Sequence, residues 1–457
     1  MKRRSIVSWS ALLAMGAVPS PLFTGMASAQ GRGQGNTIVL IRDAETEYLL
    51  HSFANPLFRV AGVSAGTTRI TLVRDRALNA FVTTGNRMFM NTGLIQQSDS
   101  ALDVIGAMAH ETGHIAHGDI SRLPEQAYQA LLESIGSLLI GAAAGVMTRD
   151  SGAAAGVIMG GQAMVQNRFM SFSRAQEDAA DLAALRYLDR LGWSAKGMMN
   201  MFSRLDQQEA LLVNRRDPYL LTHPMSHERF LRVEQHVQAL GRQDTSRTDS
   251  FDFPFRMVKA KLEGFLNAPA LVTRSYPGTD PSPEARYANA VLNHRMGHRD
   301  TAVMILDTLL REFPSSPWLL ELKGQVLLES GQARAAVGPY QQASRMAPDQ
   351  PLIRQGYGHA LLESGDAALV RQSIPQLQAA LSGARNDPGT WHLLGIAWGR
   401  IGNTGEANLA LAEEAMLYND LPVARRFARM AADALPPGPS KLRALDITNA
   451  IRKENRL

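Results

Sequence analysis

The spacing of hydrophobic positions changes several times along the chain. Residues 38 to 52 read as helical in their second part, with acidic residues early. From 68 to 95, TRITLVRDRALNAFVTTGNRMFMNTGLI, apolar and polar residues alternate between turn residues. That period of two predicts three short strands, with Gly85-Asn86 as a hairpin turn. Ser98 to Ser100 then supply N-cap candidates, and apolar residues at Leu102, Ile105 and Met108 predict a packed helix from Ala101 to His117. Residues 131 to 165 are two Gly/Ala-rich apolar halves, each too short to span a bilayer. They read as two closely packed helices, with a flap or membrane-touching hairpin as the rival reading. A helix is expected over 172 to 192, FSRAQEDAADLAALRYLDRLG, ended by Gly192. A further helix runs to about 212. The loop in THPMSHER enters another near Ser226, and the polar stretch 242 to 254 reads as a boundary.

From 283 the texture becomes a repeat. Gly297, Gly331 and Gly365 recur at a period of about 34 residues, as do Pro317 and Pro351. The next glycine, Gly402, falls three residues late. Trp391-x-x-Leu394-Gly395-x-x-Trp398 follows the tetratricopeptide helix pattern, and that period with glycine between paired helices is the mark of that repeat. Such repeats stack into a solenoid with a concave binding face. Residues 403 to 436 fit the period poorly, and a capping helix is expected from about 440.

Residues 1 to 29 read as a signal peptide: Lys2, Arg3 and Arg4, an apolar run broken by Pro19 and Pro21, then Ala27-Ser28-Ala29 as the cleavage signal. Residues 30 to 36 are a Gly-rich leader. The formal net charge of +5 includes those three cations and no acid from the leader, so the expected mature chain carries 5 − 3 = +2. There is no basic run of the kind that binds nucleic acid. The chain has no cysteine, which excludes disulfides, thiol catalysis, zinc–thiolate sites and an N-terminal lipid on Cys. Export without cysteine or lipid fits the periplasm of a Gram-negative bacterium.

The chain has 11 histidines, and three of them fall within eight residues: His110, His114 and His117, with Glu111 between. His110-Glu111-x-x-His114 places two imidazoles one helical turn apart on one face, where both can reach one zinc ion. Glu111 lies beside them to take a proton from water. A catalytic tetrahedral site needs a third protein ligand. His117 is about 10 Å of helix rise from His110, far for a ligand to the same ion. Glu177 lies on another apolar-faced helix, and Asp181 one turn later can accept a hydrogen bond from a ligand imidazole. The reach argument favours Glu177. His117 then reads as a partly exposed helix-end histidine.

HETGH, SRAQEDAAD and THPMSHER, in that order and spacing, resemble the HtpX-like and CAAX-prenyl-protease-like zinc metallopeptidases. With a signal peptide in front and tetratricopeptide repeats behind, the resemblance is greatest to their periplasmic BepA-type branch. It covers about residues 36 to 436. It implies a mainly α chain: an α+β zincin (gluzincin) protease domain with a small β-sheet over 36–245, a linker and connecting helix over 246–282, and a repeat solenoid over 283–457. It assigns one Zn2+ per chain to His110, His114 and Glu177. It places a second-layer or proton-donor role on Asp181, the His-Pro histidine on His223 and the following arginine on Arg229. The substrate edge strand begins at Asn79, Ala80 and Phe81. One departure is Ala179, where relatives commonly carry a second glutamate, so a local salt bridge is missing. The implied substrates are misfolded or stalled outer-membrane proteins, and the repeats would dock to the outer-membrane assembly machinery. The rival class is a chaperone or adaptor scaffold in which His223 latches a little-used metal site.

Overall fold

In the computed structural model, the described residues are 39–83, 85–119, 174–211, 223, 227–239 and 246–454. The signal peptide, the leader and the 131–165 segment expected from sequence lie outside them. No helix among the described residues is long and apolar enough to cross a membrane.

The chain opens with β1 (Leu40–Ile41) and α1 (Ala44–Ala61). Asp43 caps α1 by accepting a hydrogen bond from the Thr46 amide at 2.8 Å, which satisfies one of the helix's orphan donors. β2 (Arg69–Val73), β3 (Ala80–Thr83) and β4 (Arg87–Asn91) follow. The three expected strands are present, and Gly85 and Asn86 both have positive φ, as a tight hairpin turn demands. The sequence reading missed β1, which is two residues long and has no alternation to detect. The sheet order is β1-β2-β4-β3; β2 and β4 run parallel, the other pairs antiparallel. Among the described residues β3 is an edge strand. Its Phe81 stacks on Phe89 across the ladder at 5.1 Å.

A short α2 (Thr92–Gln97) leads into α3 (Ala101–His117), then α4 (Arg174–Leu191), α5 (Lys196–Leu211) and α6 (His227–Ala239). One core joins Phe53, Leu57 and Phe58 of α1, Met88 and Met90 of β4, Val104, Ile105 and Met108 of α3, and Leu188 and Phe202 beyond. Two glycine contacts set how closely its helices pack. A Cβ on Gly197 would sit 1.9 Å from the Leu102 carbonyl, so α5 presses its backbone against α3. A Cβ on Gly113 would meet the Ala180 backbone at 2.9 Å. The glycine of HETGH is what lets α4 approach the histidine helix.

The polar stretch expected to separate two parts is largely helix. α7 (Ser246–Leu266) contributes Phe255, Val258 and Leu262 to the first core, and Met257 and Phe265 to a second. After α8 (Pro269–Ser275) come four helix pairs: α9 (Pro283–Arg295) with α10 (Arg299–Glu312), α11 (Pro317–Glu329) with α12 (Ala333–Met346), α13 (Pro351–Glu363) with α14 (Ala367–Gly383), and α15 (Pro388–Arg400) with α16 (Thr404–Leu417). α17 (Leu421–Ala434) and α18 (Pro439–Glu454) close the array, and Ala444, Ile447 and Ile451 of α18 cover its last apolar face. Every first helix of a pair opens on proline, whose fixed φ suits the first turn. Every turn between partners carries a positive-φ glycine, at 297, 331, 365 and 402.

The repeats and the N-terminal part are joined by buried charge. Lys261 of α7 lies 2.6 Å from Asp43 and 3.4 Å from both Glu45 and Glu321. Tyr287 donates to Glu45 at 2.7 Å. Tyr48 of α1 packs against Trp318 of α11 with ring centroids 5.1 Å apart. The first turns of α1 therefore sit among the repeat helices.

Candidate metal centre

α3 delivers His110, Glu111 and His114 to one face, all fully buried. α4 crosses at Gly113 and delivers Glu177 and Asp181, one turn apart and equally buried. His223 comes from between α5 and α6 in sequence, and Arg229 from the first turn of α6. Donor atoms of His110, His114, Glu177 and His223 all lie within 4.8 Å of one another.

The ring orientations follow from the outer nitrogens. His110 Nδ1 is 2.8 Å from Asp181 Oδ1, and His114 Nδ1 is 2.9 Å from Asp119 Oδ2. Each imidazole donates there, which turns both Nε2 atoms inward, 3.2 Å apart. Glu177 brings Oε2 to 3.4 Å from His110 Nε2 and Oε1 to 3.4 Å from His114 Nε2. His223 Nδ1 is 2.9 Å from Glu177 Oε1 and 3.4 Å from His110 Nε2. Nitrogen and oxygen lone pairs thus converge on one dry point. Such an arrangement is costly without a cation or shared protons.

Electrostatics point the same way. Burial pulls the His110 imidazolium down, but Asp181 and Glu177 overcome it and raise His110 to about 10. His114 is raised against its burial by Asp119 and Glu177. Burial pushes Glu177 up, yet His223, His110 and His114 hold it well below the usual carboxylate range. A divalent ion would take the place of those protons. The donor set of imidazole nitrogens and one carboxylate suits zinc.

Glu111 stands apart from this network. Neither of its buried carboxylate oxygens has a hydrogen-bond partner among the described residues, and His223 Nε2 is 3.4 Å from Oε1. Arg229 donates from Nε to Asp181 Oδ2 at 2.7 Å and from Nη2 to Asp181 Oδ1 at 2.9 Å, and its Nη1 lies 2.8 Å from Glu177 Oε2. Those two carboxylates take up donors on all three guanidinium nitrogens. Asp181, read as a second-layer group or proton donor, accepts from His110 and Arg229 and is held below its ordinary value, against burial, by both. Asn79 precedes β3 and Ala80 and Phe81 begin it; the strand packs over α3, and all three residues are buried. His117 is half-buried at the end of α3 and is not among the grouped ligands. Asp119, with Gln176 donating to it at 3.3 Å, was missed from sequence. The available signal was an acid shortly after the second histidine, just past the αL cap at Gly118.

Residues 44–237, the segment that builds this centre, match the sequence model described as Peptidase family M48. The chain is 25% identical over 390 residues to the beta-barrel assembly-enhancing protease of Yersinia pestis, covering 84% of this chain and 78% of that protein. It is 26% identical over 376 residues to a putative beta-barrel assembly-enhancing protease of Vibrio cholerae, covering 80% and 75%. Among solved structures, YrrB, a TPR protein, aligns with 40% of this chain and 94% of its own at 17% identity and a TM-score of 0.32.

Proposed function

We propose that this chain is a metallopeptidase of the M48 type, a zinc-dependent endopeptidase of the periplasm acting on misfolded or stalled outer-membrane proteins during their assembly. The observation that carries the peptidase chemistry is the convergence of His110 Nε2, His114 Nε2 and Glu177 on one buried point, with the orphaned Glu111 carboxylate beside it. Residues 1–29 would be removed on export. The repeat helices would hold client chains or the assembly machinery, in keeping with the names of the relatives.

His110, His114 and Glu177 would hold the metal. A bound zinc ion supplies a Lewis acid that polarises the scissile carbonyl and acidifies an attacking water. Glu111 would take the proton of that water and deliver it to the leaving amine nitrogen, a role suited to a carboxylate with no hydrogen-bond donor on it among the described residues. Asp181 and Asp119 hold the two imidazoles in the tautomer that presents Nε2. Arg229 holds Asp181 and Glu177. An extended client would add to the open edge of β3 from Asn79 through Ala80 and Phe81, pairing main chain to main chain. Metal analysis and casein digestion test this: one zinc per chain and turnover that Glu111→Gln abolishes without loss of metal are expected. Equal turnover by wild type and Glu111→Gln would refute it.

A second reading rests on His223, which sits inside the ligand group. A neutral imidazole there would add a fourth donor and leave no place for water, so the chain would be chiefly a chaperone or adaptor until His223 is displaced. The same side chain, displaced, would donate to the tetrahedral oxyanion. At equal metal content, His223→Ala digesting casein faster supports the latch. A fall of about a hundredfold supports the oxyanion donor.

A further inference from the structure

The repeat array loses its period once, and the surplus residues build a cleft. The first helices of the pairs share one length, 13 residues. The second helices have 14 residues in α10, α12 and α16 but 17 residues in α14. A helix of the shorter length, begun at Ala367, would end at Ala380. Leu381, Ser382 and Arg385 all lie beyond that point, and all line a cleft of about 590 Å3. Trp391, Leu394 and Trp398 of α15 line it too, as do Glu406, Leu409 and Glu413 of α16. The two tryptophans are half-buried, and Trp391 is tied to the surplus segment through its Nε1 donating to the Arg385 carbonyl at 2.9 Å.

The charges on the rim are of two kinds. Arg443 of α18 is committed, with Nε 2.5 Å and Nη2 2.8 Å from the Glu413 carboxylate. Arg385 and Glu406 make no side-chain hydrogen bond or ion pair among the described residues, and they come from different parts of the lining, Arg385 just past the end of α14 and Glu406 in the first turn of α16. Gln378, Ser382 and Ser440 add neutral polar side chains to the lining. An aromatic and aliphatic lining with one uncommitted cation, one uncommitted anion and neutral polar groups matches a polypeptide. Aromatic and arginine side chains in such a pocket are the groups that dominate protein–protein affinity.

We propose that this cleft binds an extended polypeptide segment of the form acid–aromatic–base. The aromatic side chain would lie on Trp391 and Trp398, the acid would face Arg385 and the base Glu406, with main chain on Gln378, Ser382 and Ser440. This deepens the reading of the repeats as a client-binding surface and rests on it only in that respect, since no residue of the metal centre takes part.

The test uses the full chain carrying Glu111→Gln, so that proteolysis plays no part. The probe is the blocked peptide N-acetyl-Ala-Asp-Phe-Lys-Ala-amide, followed by calorimetry and tryptophan emission. Saturable one-to-one binding with a dissociation constant on the order of 10–100 µM is expected, in keeping with a contact of a few side chains. Arg385→Glu should weaken it about tenfold or more, and a peptide with Lys in place of Asp should recover affinity for that variant. Arg385 is exposed and beyond its helix, so the fold should persist. Absence of binding up to about 1 mM, unchanged affinity in Arg385→Glu, unchanged affinity when the peptide Phe becomes Ala, or equal binding of free phenylalanine would each overturn the proposal. Failure of casein digestion by wild type would leave this result standing, because it would indict the metal centre alone.

Discussion

Replacing Arg229 separates a holding role from a catalytic one. The side chain is 2% exposed and faces Asp181 at 2.7 and 2.9 Å and Glu177 at 2.8 Å. At an effective dielectric near 20, each such pair has a gross attraction of about 6 kcal/mol. Desolvation consumed much of that when the group was buried, so the pair's net worth is small. Removing one partner is different, because two buried carboxylates then lose their fixed cation, and breaking a buried pair costs about 3–5 kcal/mol. Arg229→Ala also leaves a cavity beside Phe202, over whose ring the guanidinium lies at 5.1 Å. For a domain of this size the melting temperature should fall by roughly 6–20 °C, at about 2–4 °C per kcal/mol. The assay is thermal melting of EDTA-treated protein followed by far-ultraviolet circular dichroism. Metal-loaded protein should lose less, since the ion supplies positive charge beside Glu177. Arg229→Lys should fall between, because an ammonium cannot span both carboxylates as the planar guanidinium does. An Arg229→Ala melting point within about 2 °C of wild type, with a large drop in casein turnover, would refute the holding role and favour an oxyanion role.

Three other outcomes follow from the same geometry. Glu177→Ala should release the metal while His117→Ala retains it, measured by elemental analysis after gel filtration; metal lost from the His117 variant would show the wrong third ligand. Asp119→Ala should weaken metal affinity by about 10–100-fold in a chelator competition, because His114 loses the acceptor that turns its Nε2 inward; an unchanged affinity would leave Asp119 a mere helix-end residue. Burial pushes Glu45 up to about 7 against the pull of Lys261, whereas the unfolded chain releases that proton near 4.5. Between those values the folded state binds more protons than the unfolded one, so this contribution is complete below about 4.5 and is lost as pH rises through 7, up to about 3 kcal/mol. The gap in melting temperature between wild type and Glu45→Gln should therefore shift against wild type from pH 5 to 7.5, and a constant gap would count against the buried Glu45 described above.

Much of this protein was legible in one dimension because the features concerned are local. His110-Glu111-x-x-His114 needs only helical periodicity to put two imidazoles on one face, and the regular spacing of Gly297, Gly331 and Gly365 needs only the length of two helices and their turns. The expected spans of α3, α4 and the last helix agree with the structure within a few residues, since caps and αL glycines are written in the local sequence. Other features depended on segments distant in sequence. The partners of Arg229 come from a helix some fifty residues away, and only the crossing at Gly113 and Ala180 brings those carboxylates beneath it. Asp119 had no meaning until the αL turn at Gly118 carried it back to His114. The stretch from 246, polar and Pro-containing, reads as a boundary, yet α7 is shared by two cores because its apolar residues face two different partners. The three-residue delay before Gly402 was visible as a number, but its consequence was not. Whether surplus residues lengthen a loop, a first helix or a second helix is decided by which neighbour can bury them, and here packing placed them in α14, where they form one wall of a cleft.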